Sequence, residues 1–147
     1  MRILGIDYGD ARVGIGVSDP LGMMANGVGT IKNTGKKYLN EELLKIIDQY
    51  NPETIVVGLP KNMDGTEGFR TEATHKFVEN LKEIYNGEII YWDERLTTVG
   101  ASVYLNQTNT RGNKRKKIID TVSACLILEG YLNSIKNNLN KWNISVC

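Results

Sequence analysis

The chain opens on a nearly unbroken apolar run, Ile3-Leu4-Gly5-Ile6, that stops at Asp7. Such a run over residues 2–6 predicts a strand buried on both faces. After a turn at Tyr8-Gly9-Asp10-Ala11, the pattern changes to strict alternation. Val13, Ile15 and Val17 fall on one face, while Gly14, Gly16 and Ser18 fall on the other. A strand face made of glycine and serine packs poorly against side chains, so something must come close to its backbone. Gly9 sits in the turn, where a positive φ or a close backbone neighbour favours glycine.

Downstream, a third strand is predicted around 27–31, followed by a turn at Asn33-Thr34-Gly35. Leu39, Leu43, Ile46, Ile47 and Tyr50 recur at helical spacing and predict a helix over 38–50, closed by Asn51-Pro52. Ile55-Val56-Val57 centres a short buried strand over 54–59, and a loop rich in glycine and proline fills 58–68. Phe77, Leu81, Ile84 and Tyr85 mark a second helix over about 70–85; residues 88–92 read as a strand ending at Asp93-Glu94-Arg95. A third helix is expected from Thr97 or Thr98 to about Leu105. The last begins near Lys116, with Ile118, Val122, Cys125, Leu128, Leu132, Ile135 and Leu139 as its core stripe. The order β-β-β-α-β-α-β-α-α describes one α/β domain over 1–137, with an Asn-rich tail over 138–147 that is expected to fray.

Composition changes this picture little. The 147 residues, at net charge +1, suit one globular domain, and no apolar run approaches the roughly 18 residues of a membrane span. Cys125 and Cys147 have no metal-type spacing, and the chain enters its first strand without an export signal, so a cytoplasmic location is expected. Charge is unevenly spread. Arg111, Lys114, Arg115, Lys116 and Lys117 place five cations in seven residues, a candidate surface for a polyanion or, more plainly, a solvated loop.

Strand–helix–strand connections make the first, fourth and fifth strands parallel, with their C-terminal ends along one rim. Open α/β sheets bind ligands at that rim. There the sequence puts Asp7, the 58–68 loop and Asp93-Glu94-Arg95, with Arg12 near Asp7; Asp120, one turn into the final helix, lies off the core stripe. Singly, each acid has an ordinary explanation: Asp7 as a turn acceptor, Asp120 as a solvated group that favours the helix dipole. Together, carboxylates about 5 Å apart would repel by roughly 3 kcal/mol per pair at an effective dielectric near 20, unless a cation joins them or one is protonated. Oxygen ligands without His or Cys favour magnesium or manganese over zinc, and acids holding two such ions support attack of water on a phosphodiester. The only histidine, His75, reads as a surface or packing residue on the second helix.

The stretch from Ile6 to Asp19 closely resembles the opening motif of the YqgF/RuvX family. Gly58-Leu59-Pro60 with Asp64-Gly65, then Asp93-Glu94-Arg95-Leu96-Thr97-Thr98, then Lys116-Lys117-Ile118-Ile119-Asp120 with Ala124 resemble its other motifs in the same order. The resemblance spans residues 2 to about 132. It implies a ribonuclease H-like α/β fold: a mixed sheet of three N-terminal strands, then alternating helix and strand, flanked by helices. It also implies a cytoplasmic, magnesium- or manganese-dependent nuclease that holds two ions. Members are described either as Holliday junction resolvases or as nucleases that process the 5′ end of precursor 16S ribosomal RNA. The implied partners are therefore pre-16S rRNA, within ribosomal particles, or branched DNA, and not a membrane.

Carried over by position, the family's acids fall on Asp7, Glu94 and Asp120, as catalytic residues and metal ligands. Asp93 is the competing neighbour; adjacent strand residues point opposite ways, and the longer Glu94 suits a strand end better. Arg12, Lys61, Arg95, Arg111, Lys114, Arg115, Lys116 and Lys117 are the expected phosphate-binding residues. One departure is visible: Gly100 stands where the family has a glutamate, which removes half of a capping box from the third helix. Two other functions remain open. A ribosome-assembly factor on the same fold would bind RNA without cutting it. An ATP-binding role is suggested by the glycine-rich D-x-G hairpin, which also resembles the phosphate loop of actin-like ATPases and sugar kinases, but those need two such domains. A monomer suffices for RNA processing, whereas symmetric junction cutting calls for a homodimer.

Overall fold

Residues 3–32 fold as an antiparallel meander of β1 (Ile3–Tyr8), β2 (Arg12–Ser18) and β3 (Ala25–Lys32). The structure is a computed structural model that describes residues 2–60, 64–93 and 112–146, the side chains of 112–118 and 137–146 excepted. After the meander come α1 (Lys36–Tyr50), β4 (Thr54–Leu59), α2 (Phe69–Leu81), β5 (Glu88–Asp93) and a long helix, α3 (Gly112–Val146). The strands form one sheet in the order β3-β2-β1-β4-β5. β1 is antiparallel to β2 and parallel to β4, which is in turn parallel to β5. The C-terminal ends of β1, β4 and β5 therefore share one rim, as expected.

Period-2 alternation divides the sheet between two cores. Leu4 and Ile6 of β1, Val13, Ile15 and Val17 of β2, and Ile55 and Val57 of β4 pack with Leu39, Leu43 and Ile47 of α1 and with Phe77, Val78 and Leu81 of α2. On the opposite face, Ile3 and Val56 meet Ile127, Leu128 and Leu132 of α3. The bare face of β2 is explained by this second layer. A Cβ on Gly14 would collide with the carbonyl oxygen of Asp120, and one on Gly16 would lie 3.2 Å from the Cys125 Sγ. On β1, a Cβ at Gly5 would lie 2.8 Å from the Ala124 carbonyl oxygen. The close neighbour is α3 itself. Buried Ser18 closes the same face by accepting the Ile3 N–H at 2.8 Å.

Several boundaries differ from expectation. The third strand extends to Ala25–Lys32, and α1 begins at Lys36, just after Gly35 with φ 148°. α1 ends as expected at Asn51, which adopts φ 46° and donates its N–H to Ile47. α2 stops at Leu81, earlier than residue 85, and Tyr85 returns to the core through a turn, donating its hydroxyl to the Pro52 carbonyl at 3.0 Å. α3 starts at Gly112, so Lys114–Lys117 belong to a helix and not to a loop; lysine and arginine are good helix formers. Its backbone continues to Val146, through the Asn-rich stretch. The buried face of α3 is also rotated from the expected stripe. Ser123, Ala124, Ile127, Leu128 and Leu132 are buried, whereas Val122 and Cys125 are only partly so. The glycines accept the helix edge-on at Ala124, which brings the Asp120 side round toward the sheet. The expected helix over 97–105, with Gly100, lies outside the described residues.

Among the described glycines, this arrangement leaves Gly14 the least room. Gly14→Ala should destabilise the domain by about 3 kcal/mol, as an overpacked core position does. Gly16→Ala should cost less, because a thiol side chain yields more readily than a helix backbone. Paired urea denaturation curves test this, and equal small losses in both variants would contradict the close approach.

Candidate active site

Asp7 is the fifth residue of β1, on the face that carries Ile3 and Gly5, and it pairs across the ladder with Gly14. Because the Asp120 carbonyl sits over Gly14, α3 delivers the Asp120 side chain next to Asp7. Both acids are partly buried. Arg12, at the start of β2, donates its Nε to Asp120 Oδ2 at 2.8 Å, and the side chains of this pair are 25% and 21% exposed. The hairpin that separates Asp7 from Arg12 is tight: a Cβ at Gly9 would lie 2.6 Å from the Arg12 carbonyl oxygen.

The electrostatics of this cluster are unbalanced. An ion pair normally lowers a carboxyl pKa, yet that of Asp120 is held above its usual value. Burial is the main cause and the charge of Asp7 adds to it, while Arg12 and, less strongly, Arg70 pull the other way. The Arg12 guanidinium therefore does not fully offset burial and the charge of Asp7 at Asp120. The donors are hard carboxylate oxygens, which fits a divalent ion of the magnesium type. Among the described residues no three of His, Cys, Asp and Glu gather as a metal site, and Glu94 lies outside those residues.

The other expected residues divide clearly. Asp93 ends β5 opposite Leu59. Ile89 of the same strand packs on the α1/α2 core, and the Tyr91 hydroxyl lies 3.0 Å from His75 Nδ1 on α2. Trp92 faces the other way, against Gly130 of α3. Alternation then turns Asp93 toward α2, away from the face of Asp7. Lys61, Arg95 and Arg111 lie outside the described residues, and Lys114, Arg115, Lys116 and Lys117 occupy the first turns of α3, ahead of Asp120. His75 is a partly exposed surface residue, as expected. Arg70 was not anticipated. It stands in the first turn of α2, where the helix dipole disfavours a cation, and that misfit was the signal available in the sequence.

This sheet order, with helices on both faces and acids converging at its rim, defines a ribonuclease H-like fold of the resolvase type. Two solved structures share it: Thermus thermophilus RuvC in complex with a Holliday junction substrate (TM-score 0.52, 14% identity, 86% of this chain and 91% of that one) and the fowlpox virus Holliday junction resolvase (TM-score 0.56, 13% identity, 92% and 99%). A family model described as "RuvX: Holliday junction resolvase" matches residues 1–134. A relative from Clostridium botulinum strain Hall is 50% identical over 135 residues, covering 92% of this chain and 98% of the relative. One from Ruminiclostridium cellulolyticum is 48% identical over 141 residues, covering 94% and 98%. Both carry the name "Putative pre-16S rRNA nuclease". The chain belongs to the RuvX family of nucleases, as its motifs imply.

If Arg12 restrains the Asp120 carboxyl as described, Arg12→Gln should move its pKa further up, because two of the lowering influences vanish together. A carboxyl raised in the folded state favours folding below its unfolded value, and that advantage is lost as pH rises through the folded value. The variant should therefore lose more stability than the wild type between mildly acidic and neutral pH. Carboxyl-carbon NMR shifts followed against pH check this; an unchanged Asp120 midpoint would refute it.

Proposed function

We propose that this protein is a metal-dependent endonuclease acting on structured nucleic acid, with Asp7, Asp120 and Glu94 as its catalytic acids. The observation that carries the proposal is the convergence of Asp7 and Asp120 at one end of the sheet, where Arg12 pairs with Asp120 and the Asp120 carboxyl is still held above its usual pKa. Asp7, Asp120 and Glu94 would hold the magnesium or manganese, two ions in all. Such ions, when bound, polarise a phosphoryl oxygen and neutralise the charge that builds during in-line displacement by water. Choosing Glu94 over Asp93 follows from the direction of Asp93, toward α2.

The remaining residues act by binding and orienting. Arg12 keeps Asp120 in one rotamer, so the carboxylate does not reorganise when substrate arrives. Cations at the entrance of α3, with Lys61 and Arg95, would hold the flanking phosphates, an interaction that weakens with salt. Lys116 and Lys117 lie within one turn of Asp120, which would set a phosphate held there close to the acids.

As substrate we propose the 5′ region of precursor 16S rRNA, in cytoplasmic ribosomal particles. Support comes from relatives about 50% identical over nearly their whole length that carry that name. Branched DNA is the second reading, supported by the description of the family. Oligomeric state would distinguish the two, since one active site suffices to trim RNA while paired cuts in a junction need a two-fold dimer.

Asp7→Asn, which keeps the shape and removes the charge, should reduce cleavage by more than about 100-fold, the upper range for loss of a merely supporting hydrogen bond. The measurement compares a precursor 16S leader with a four-way DNA junction, each with magnesium, with manganese and with chelator. Cutting of the RNA alone, lost in the variant, is the expected result. Undiminished cutting by Asp7→Asn would overturn the catalytic assignment, and intact binding without turnover in the wild type would favour an assembly factor.

A further inference from the structure

One crevice plays no part in the site described above. It opens between α1 and α2, on the far side of the sheet from α3, with a volume of about 290 Å³. That is near the lower end of small-molecule pockets, roughly 300 Å³, and leaves room for one compact ligand. Its wall contains Tyr8 and Phe77, whose rings stack at 4.5 Å. Asn33, Asn40 and Asn80 supply amide groups, and Lys76 stands at the exposed side. No carboxylate lines it among the described residues.

Two details point to a ligand. The Asn40 Oδ1 is fully buried and has no hydrogen-bond partner among the described residues. A buried acceptor left unmade is costly, so this oxygen calls for an N–H or O–H donor from outside the chain. Asn33 is already fixed, since its Nδ2 donates to the Gly9 carbonyl at 2.9 Å. The two lysines differ: Lys36 is paired with Glu83 at 3.0 Å, whereas Lys76 makes no ion pair among the described residues. The site thus offers an aromatic wall, a buried acceptor, further amides and one uncompensated cation. A planar base with an N–H donor, joined to a phosphate, matches each of these.

We propose that this crevice is a nucleotide subsite, taking one base-plus-phosphate unit, next to the cutting centre. The placement follows from the strand period. Tyr8 directly follows Asp7 on β1, so one lines the crevice while the other faces α3. A strand of nucleic acid crossing this rim can put a phosphate near Asp7 and an unpaired neighbouring nucleotide in the crevice. That second half rests on the catalytic reading of Asp7; nucleotide binding itself does not. A free mononucleotide offers the same chemistry as an unpaired residue of RNA, and the two sources need separate probes.

The test is NMR of the 15N-labelled full chain in chelator, titrated with adenosine, with 5′-AMP and, separately, with a short unstructured RNA. Saturable shifts of the Asn33, Asn40 and Asn80 side-chain amides are expected, stronger with 5′-AMP than with adenosine. Asn40→Leu should weaken binding about tenfold, the worth of one hydrogen bond from a buried group, and should melt no lower than the wild type. Lys76→Gln, on an exposed position, should weaken 5′-AMP and leave adenosine unchanged. Saturation by the RNA assigns the subsite to the substrate strand, and saturation by 5′-AMP alone assigns it to a free nucleotide. Absence of asparagine shifts with every probe, or 5′-AMP binding indifferent to both substitutions, overturns the proposal. Cleavage by Asp7→Asn is measured in parallel. Loss of cutting without asparagine shifts defeats only the subsite, and retained cutting with those shifts defeats only the catalytic assignment.

Discussion

Helix α3 lies so close to the sheet that the Asp120 carbonyl fills the space a side chain would take on Gly14. This contact is possible only because β1 and β2 present Gly5, Gly14 and Gly16 on that face. Interior glycine weakens a strand by itself, through lost packing and greater chain entropy. Here the weakness is offset by what the bare backbone admits: a helix whose own backbone touches the sheet, flanked by Ile127, Leu128 and Leu132 packed on Ile3 and Val56. Proximity of Asp7 and Asp120 follows from that contact. A β2 with larger residues on this face would lift α3 away and separate the acids.

The same contact creates an electrostatic problem that the fold answers only in part. Bringing Asp7 up to a half-buried Asp120 disfavours charge on Asp120, whose pKa stays raised even beside Arg12. A chain selected for stability alone would place an amide or an apolar group at one of these positions. Retaining both acids, at a rim where the strand ends of an α/β sheet converge, is the kind of local disagreement that marks a site. Arg12 narrows the cost at Asp120 without removing it.

Much of this was legible in the chain, for identifiable reasons. Alternation at 13–18 located β2, and its bare face required a close neighbour; helical spacing at 39–50 and the Asn51-Pro52 stop located α1. What the bare face could not reveal was its occupant. A ligand and a helix backbone both satisfy it, and the helix prevailed because Ala124 is small enough to approach Gly5. The stripe along α3 misled for a related reason. Hydrophobic periodicity finds the centre of an apolar face, whereas a helix on a glycine track turns its small residues inward, so Ser123 and Ala124 are buried while Val122 is only partly so. A run of cations reads as a loop, so the pattern places the start of α3 too late, although each of these residues is a good helix former. Arg70 went unnoticed because its influence on Asp120 depends on how α2 meets the rim, which is a tertiary fact.

The two faces of β1 carry different chemistry one residue apart, and this follows from strand geometry. Asp7 turns toward α3, where a short helix–sheet distance and partial burial sharpen electrostatics. Tyr8 turns toward α1 and α2, where larger residues leave a crevice lined by amides and aromatic rings. A polymer passing over the strand end meets both environments within one residue rise, about 3.3 Å, less than the spacing of successive nucleotides in an extended chain. Charge recognition and base recognition can therefore share a single strand end, held in place by the hairpin that sets Asp7 opposite Gly14.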